Sequence, residues 1–504
     1  MTKANNKVIL FICAFAAFLA TFNETFLNVA FDAIGNSLSV GFETVQWLAT
    51  AYMLAAAIFV PVSAFMYRRV PTKILFLCTV ACFIIGSIVS ALSGSFIVLL
   101  VGRIIQAVGS GLLIPIAMNI VLEVAPREKL GGYMGIMGAM TTLGPSLSLI
   151  VAGAFLSFAD WHILFWVFGG LCLILFLVAF FYLGNVAKLG KPRLDVLSVI
   201  LIGIALVGIL YAISTVFTCW WIALIAFVVG VAMLVLFLFR QKRIPEPLIN
   251  LAPFGSKVFN LGLFINVITL IMIFALNIVV PKYLLSETGI MPIIASLVLF
   301  PAIFLSCIVA PIAGKIYDKH GIKILLPLGF GLMAVFSALL AIFISSPSIV
   351  LLALLYIPII VGSAFIVGPI QTHSLSHLPP QQSPHGVTIF STGFQIAGCI
   401  GASLFSSLYA TSVISMPKAS DAFLIVGLIV AGLAVIGVIT SIIVARIKRT
   451  TPQTENIEQQ DSTNETITND NLDTENASQT EQSTTDTTTK VQIELENEQQ
   501  TKQD

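Results

Sequence analysis

One acidic side chain stands where a membrane-crossing helix would ordinarily carry Leu or Val. It is Glu24, in the stretch LATFNETFLNVAFD at residues 19–32. A carboxylate at membrane depth costs several kcal/mol unless it is protonated, paired or turned to water. An acid held there can take up and release a proton as its access to water alternates. Asn28 and Asp32 follow at steps of four, which on one continuous α-helix puts all three on one face, directed at an interior cavity. The competing reading is a Glu held by a neighbouring helix for structural reasons alone. Arg103 is the one base inside an apolar run, in GRIIQAVGSG at residues 102–111. It requires a counter-ion, backbone carbonyls or water, and it too could be purely structural. No phosphate-cradling loop, metal-ligand cluster or nucleophile–base set is visible, so the chain does not read as an enzyme and calls for no cofactor or metal.

The elements that must position these residues are membrane helices. Of 504 residues, 58% are hydrophobic and 10% charged, with a mean hydropathy of +1.02. Soluble domains carry about 25% charged residues, so the composition is that of a polytopic, all-α membrane protein. The net charge of +1 conceals two opposite parts: residues 451–504 hold 13 acids and 2 bases, and residues 1–450 hold 11 acids and 23 bases. The seven cysteines all lie in apolar runs without metal-type spacing and read as small buried hydrophobes. The first apolar run is too long for a signal sequence and has no cleavage site, so it is expected to remain.

A spanning helix needs about 20 mostly apolar residues. Fourteen candidates follow, near 8–30, 45–67, 73–93, 96–121, 131–157, 162–184, 195–216, 219–239, 258–280, 290–316, 323–345, 348–371, 387–411 and 421–445. With the N-terminus inside, the inner segments hold 20 Lys and Arg and the outer ones only Lys282 and Lys418. That alternation supports fourteen spans with both termini cytoplasmic. The inner loop 372–386 is short of Lys and Arg and offers His373, His377 and His385 instead. The expected organisation is a six-helix bundle over 1–186, an inserted helix pair with linkers over 187–256, a second six-helix bundle over 257–449, and an acidic cytoplasmic tail from 450. The tail is rich in Thr, Gln, Asn, Glu and Asp and cannot bury a core, so it is expected to be disordered. Its NET and NAS triplets carry no weight as glycosylation sites in a cytoplasmic segment.

An internal repeat supports two related halves. PVSAFMYRRVPTK at 61–73 and PIAGKIYDKHGIK at 311–323 each join one span to the next at the inner face, 250 residues apart. Repeated halves with a site between them are typical of secondary transporters.

The second copy, from Gly314 through Asp318, Lys319 and Gly321 to Lys323, resembles the inner-loop signature of the major facilitator superfamily. Gly314 permits close helix packing, and Asp318 can sit near a helix N-terminus and basic partners as a conformation-dependent latch. In the first copy Ala64, Arg68 and Pro71 replace Gly, Asp and Gly, with Arg69 following, so the Asp-based latch is absent there. Residues 102–111 resemble the superfamily's fourth-helix signature, which implies a role for Arg103 in proton coupling. Gly135, Gly138, Gly144 and Pro145 resemble the fifth-helix signature of antiporters, with Ser148 and Leu149 in place of the later glycine pair. GxxG spacings are also common in ordinary membrane packing. Asn23 to Ala30 resembles the first-helix signature of the fourteen-helix drug:proton antiporter branch. The acid stands one position later, about 100° around the helix. Gln46-Trp47, Tyr52, Pro247-Leu248-Ile249 and the stretch from His385-Gly386 to Gln395 are similar to that branch as well.

The resemblance implies a major facilitator fold and a proton-driven multidrug exporter in the cell membrane. Glu24, Arg103 and Asp32 are then the proton-coupling candidates. Substrate candidates are Glu24, Asn23, Asn28, Tyr52 and Gln106 in the first half, with Asn266, Phe300, Phe304, Tyr356, Phe390, Phe394 and Gln395 in the second. The last six spans contain no acid well inside, so an apolar, aromatic cavity with one acid suits lipophilic or cationic compounds. Aromatic stripes are more often packing than binding. The expected partners are small molecules, protons and the lipid bilayer, with no nucleic acid, and the expected state is a monomer. Two other functions fit the residues: a proton-coupled exporter of an endogenous metabolite, lipid or signalling molecule, and a non-transporting receptor or assembly platform using the acidic tail.

Overall fold

A computed structural model of the chain describes residues 3–446 apart from 188, 191–194, 218, 246, 289–291, 347 and 417. The acidic tail from 450 lies outside the described residues. Within them the structure is helical without strands, and fourteen helical segments are long and apolar enough to cross a membrane.

The first half comprises α1 (Lys3–Thr25), the short α2 (Phe31–Leu38), α3 (Phe42–Arg69), α4 (Thr72–Ala91), α5 (Phe96–Val124), α6 (Leu130–Leu156) and α7 (His162–Tyr182). A hairpin of α8 (Val196–Thr215) and α9 (Trp220–Arg243) follows. The second half comprises α10 (Lys257–Thr288), α11 (Pro292–His320), α12 (Leu325–Phe343), α13 (Ile349–Ala364), α14 (Val367–Ser376), α15 (Ser383–Cys399), α16 (Phe405–Ser415) and α17 (Ala419–Arg446). Bases fall in the last turns of α3, α9, α11 and α17. There they complement the helix dipole and mark one membrane face. One apolar core is built around α1 and α3–α7 and runs on into the hairpin and parts of α10, α14 and α15, and a second is built around α10–α17.

The spans match the hydropathy reading closely, but several are not single straight helices. α1 stops at Thr25, and a 3₁₀ turn over Phe26–Ala30 leads into α2. The step-of-four argument for Glu24, Asn28 and Asp32 therefore fails, because a 3₁₀ turn advances three residues per turn and changes the register. The side chains of Asn28 and Asp32 lie outside what is described. The span near 348–371 is α13 and α14 joined through Phe365–Ile366, and the span near 387–411 is interrupted by a π-type turn at Ile400–Leu404.

The hairpin packs along one side of the seam between the halves. Gly203 of α8 lies against Ile58 of α3, and Ser214 donates to Ser403 beside α15 at 3.3 Å. α9 is largely exposed, with Trp220 70% and Phe239 60% accessible, as expected of a lipid-facing helix. A bidentate pair from Arg240 to Asp195 (2.7 and 2.9 Å) joins the end of α9 to the start of α8. Hydrogen bonding from Arg240 and Ser198 holds the Asp195 carboxyl down to about 2. Gln241 bonds Ser198 at 2.6 Å and accepts from the backbone N–H of Ile249, and Asn250 N–H donates to His385 Nδ1 at 3.1 Å. The hairpin is thus tied by hydrogen bonds to the second half.

Candidate functional site

α5 carries Arg103 into the first half on a helix whose small residues allow close packing. The guanidinium is fully buried. One terminal nitrogen, Nη1, donates to the Asn23 carbonyl at 3.1 Å, to Asn23 Oδ1 at 3.0 Å and to Gln106 Oε1 at 2.9 Å. Gln106 in turn donates to Ser87 at 2.9 Å, and Asn23 Nδ2 donates to the Tyr52 hydroxyl at 3.2 Å. The Arg103 carbon lies 4.1 Å from the Tyr52 ring centre and 5.6 Å from that of Phe26. Three oxygens and two aromatic faces thus offset the cost of burying one cation. Nε and Nη2 make no hydrogen bond among the described residues.

Glu24 is the next residue after Asn23 and points elsewhere. The two side chains are about 100° apart around α1, so Asn23 serves Arg103 while Glu24 faces the second half. There Gln395 Nε2 of α15 approaches Glu24 Oε1 at 3.5 Å, the long limit of a hydrogen bond. Glu24 is half-buried and within electrostatic reach of Arg103 without forming an ion pair. Among the described residues the acid therefore stands between the halves with one weak hydrogen-bond partner.

Beside this contact lies a small central cavity of about 30 Å³. α3, α5 and α6 supply Ala56, Ser110, Met137, Gly138 and Thr141 to its wall, and α14 and α15 supply Gln371, Phe390, Ser391, Phe394 and Gln395. Gly138, Phe390, Phe394 and Gln395 were legible as candidates in the sequence. Gln371 was not singled out, although a large polar group in an apolar run is the same kind of signal as Gln395. Gln371 donates to Asn266 Oδ1 at 3.1 Å, which sets Asn266 one layer behind the wall. Tyr356 is fully buried and donates to Asn277 at 2.5 Å, away from the cavity. Phe300 and Phe304 stack on each other at 5.9 Å with Phe304 53% exposed, so they lie on the outer side of α11 and do not line this space.

The halves meet where the start of α6 lies against the end of α11. Asp318 accepts from the backbone N–H groups of Gly131 (2.8 Å) and Gly132 (3.1 Å), the first turn of α6. This is an anion at a helix N-terminus, where dipole and unpaired donors both favour it. A Cβ on Gly314 would collide with the Gly131 carbonyl, so only glycine allows this approach. Gly321, at φ +72°, ends α11 in the left-handed conformation, and Lys319 lies in its last turn. Sequence reasoning found Asp318 but not its partners, which are 186 and 187 residues away. Arg68 and Arg69 close α3 in the related position. Higher on α6, a Cβ on Gly144 would strike α1 at Thr21 and Phe22 N. Ser148 fills the space next to Pro145, donating to its carbonyl at 2.6 Å, and its hydroxyl lies 2.8 Å from that of Thr25.

Two repeated halves, a hairpin between them, and a polar site at their interface describe a transporter. The sequence matches the Major Facilitator Superfamily over residues 13–195 and 196–402. The chain belongs to that superfamily. It is 31% identical over 389 residues to the lincomycin resistance protein LmrB of Listeria monocytogenes, covering 77% of this chain and 83% of that protein. LmrB of Bacillus subtilis is 31% identical over 400 residues, covering 78% and 84%. Among solved structures, the superfamily's proton:xylose symporter XylE superposes with a TM-score of 0.64 at 14% identity, over 87% of this chain and 95% of that one. Membership makes the chain a multi-pass membrane transporter and not an enzyme.

Proposed function

We propose that this chain is a proton-coupled antiporter that exports lipophilic, cationic drugs or toxic compounds across the cytoplasmic membrane. The carrying observation is Glu24, a half-buried acid on α1 that meets Gln395 of the other half beside the central cavity, within reach of buried Arg103. A group that changes charge at an interface between rocking halves can exchange a proton for a cation at one place. A proton arriving from outside neutralises Glu24 and releases the substrate. Its loss toward the cytoplasm restores the anionic site. Arg103 holds Asn23 and Gln106 in place and biases Glu24 electrostatically. The apolar wall with Phe390 and Phe394 offers area and ring faces to a lipophilic cation. The resemblance to proteins named for lincomycin resistance supports export of toxic compounds.

The Asp318 contact is read as a latch that holds the inner ends together and opens during the cycle. Bases at the ends of α3, α9, α11 and α17 support cytoplasmic termini by the positive-inside rule. The protein acts as a monomer driven by the proton gradient, without a cofactor. The deciding measurement is substrate-induced proton movement in proteoliposomes, screened over cationic, zwitterionic and anionic compounds. Lipophilic cations are expected to move protons in the opposite direction. Cation export with no accompanying proton flux would end this reading.

A further inference from the structure

α1 and α6, with Val121 of α5, also enclose a second space, on the other face of α6 from the central cavity. It is a groove of about 300 Å³, at the lower end of ligand-pocket sizes. One wall is a single face of α1, with Lys7, Phe11, Phe15 and Phe18 following helical spacing. The other wall is a face of α6 from Tyr133 to Leu143. Three observations together define what fits. The groove runs from Lys7 to Phe18, eleven residues or roughly 16 Å of helix. That is about half of a 30 Å hydrocarbon core, the depth of one leaflet. Its wall is apolar except at one end, where Lys7 and Tyr133 stand at the membrane boundary. Lys7 is exposed, and among the described residues no acid pairs with it. Phe11 is 68% exposed, so the groove opens sideways to lipid.

We infer that this groove binds one acyl chain of an anionic phospholipid, with the lipid phosphate at Lys7. The chain lies between α1 and α6 and ends below the point where Gly144 brings the two helices together. The Tyr133 hydroxyl can donate to the phosphate or glycerol oxygens. A zwitterionic lipid fits the groove equally but gains less from Lys7, and a free fatty acid supplies a charge without the glycerol backbone. The assignment holds whichever leaflet Lys7 faces. It also does not depend on proton coupling.

The test is photolabelling of the full-length protein in bilayers containing diazirine-acyl phosphatidylglycerol, diazirine-acyl phosphatidylcholine or the diazirine fatty acid, with labelled peptides mapped by mass spectrometry. Phosphatidylglycerol is expected to label residues 8–18 and 133–143 about fivefold more than phosphatidylcholine, the worth of one base at an anionic headgroup. Lys7→Gln should reduce phosphatidylglycerol labelling to the phosphatidylcholine level, and Lys7→Glu should bring it lower. Both act at an exposed position and leave folding intact. Met140→Trp, which fills the groove, should diminish labelling by both lipids at unchanged membrane abundance. Equal labelling by the two lipids in the wild type overturns the proposal. So does labelling that survives both Lys7→Gln and Met140→Trp, or labelling by the fatty acid alone. Proton-coupled transport is read separately, so its loss or survival leaves this outcome unaffected.

Discussion

Asn23 and Glu24 are adjacent on the chain, yet they serve different halves of the molecule. The sequence raised the question of which one faces the cavity, because the acid is displaced by one position from the branch pattern. The structure gives them different partners: Asn23 gives both its oxygens to Arg103, and Glu24 meets Gln395, which lines the cavity. Glu24→Gln keeps shape and hydrogen bonding but fixes the neutral form. It is expected to lose pH-gradient-driven export of cationic compounds, while neutral or zwitterionic ones still bind. Glu24→Asp should retain part of the activity, limited by a shorter reach. Transport assays at matched expression, with Asp32→Asn alongside, separate the candidates. Normal transport by Glu24→Gln with a dead Asp32→Asn would transfer the proton to Asp32. Arg103→Ala leaves three buried oxygens without their donor, at about 1–3 kcal/mol for each unsatisfied group. It should lower both thermal stability and coupled transport. Arg103→Lys should rescue only partly, because an ammonium lacks the planar donor fork that the guanidinium carries over the Tyr52 ring. Wild-type drug-driven proton flux in Arg103→Ala vesicles would remove the residue from the coupling machinery.

At the scale of helices, hydropathy and the alternation of basic loops were enough to place fourteen spans. The 3₁₀ turn at Phe26–Ala30 and the π-type turn at Ile400–Leu404 were not legible. Both are built from the same apolar and small residues as the flanking α-helix, and packing against neighbours decides their register. Gly401, for example, rests on Ile271 O and Ala275 N of α10. The Asp318 contact was half legible. Its acid could be read from spacing, but the helix end it caps is set by tertiary structure. The contact is also one-sided. Arg68 occupies the position in α3 that Asp318 occupies in α11, and it lies within electrostatic reach of His385 near the start of α15. A guanidinium cannot accept from a helix N-terminus, so the contact at Arg68 differs in kind from the one at Asp318. The hairpin supplies a control on pH. The Asp195 carboxyl titrates at about 2 when folded, against about 3.9 unfolded. Its stabilisation is therefore complete above about pH 4 and is lost only as pH falls toward about 2. Asp195→Asn is expected to leave the pH profile of transport between about 5 and about 8 unchanged. A profile that shifts in this variant would make the hairpin a participant in proton coupling.

Among the described residues the cavity beside Glu24 and Gln395 is small. A cavity of about 30 Å³ holds a water or two, whereas drug-sized ligands need several hundred. In the proposed transport cycle the halves separate for a substrate to enter, and one contact that opposes separation of α11 from α6 is Asp318 on the first turn of α6. Two hydrogen bonds to an ionised acceptor contribute about 1.5–3 kcal/mol each. Asp318→Asn keeps the size but replaces one accepting oxygen with an amide donor, so one bond is lost and the other becomes neutral. Loss of about 1.5 kcal/mol shifts a two-state equilibrium roughly tenfold toward the separated form. A cysteine at Ser391, on the cavity wall and 7% exposed, reports that form when the native cysteines are replaced. Its alkylation by a membrane-impermeant reagent from the cytoplasmic side should be about tenfold faster in Asp318→Asn than in the parent. Transport should fall, because a carrier biased to one side completes fewer cycles. Gly314→Leu should produce the same bias by steric force, since its side chain cannot coexist with the Gly131 carbonyl. If both variants leave Ser391→Cys as protected as before, the α6–α11 contact is a fixed seam and the opening occurs elsewhere.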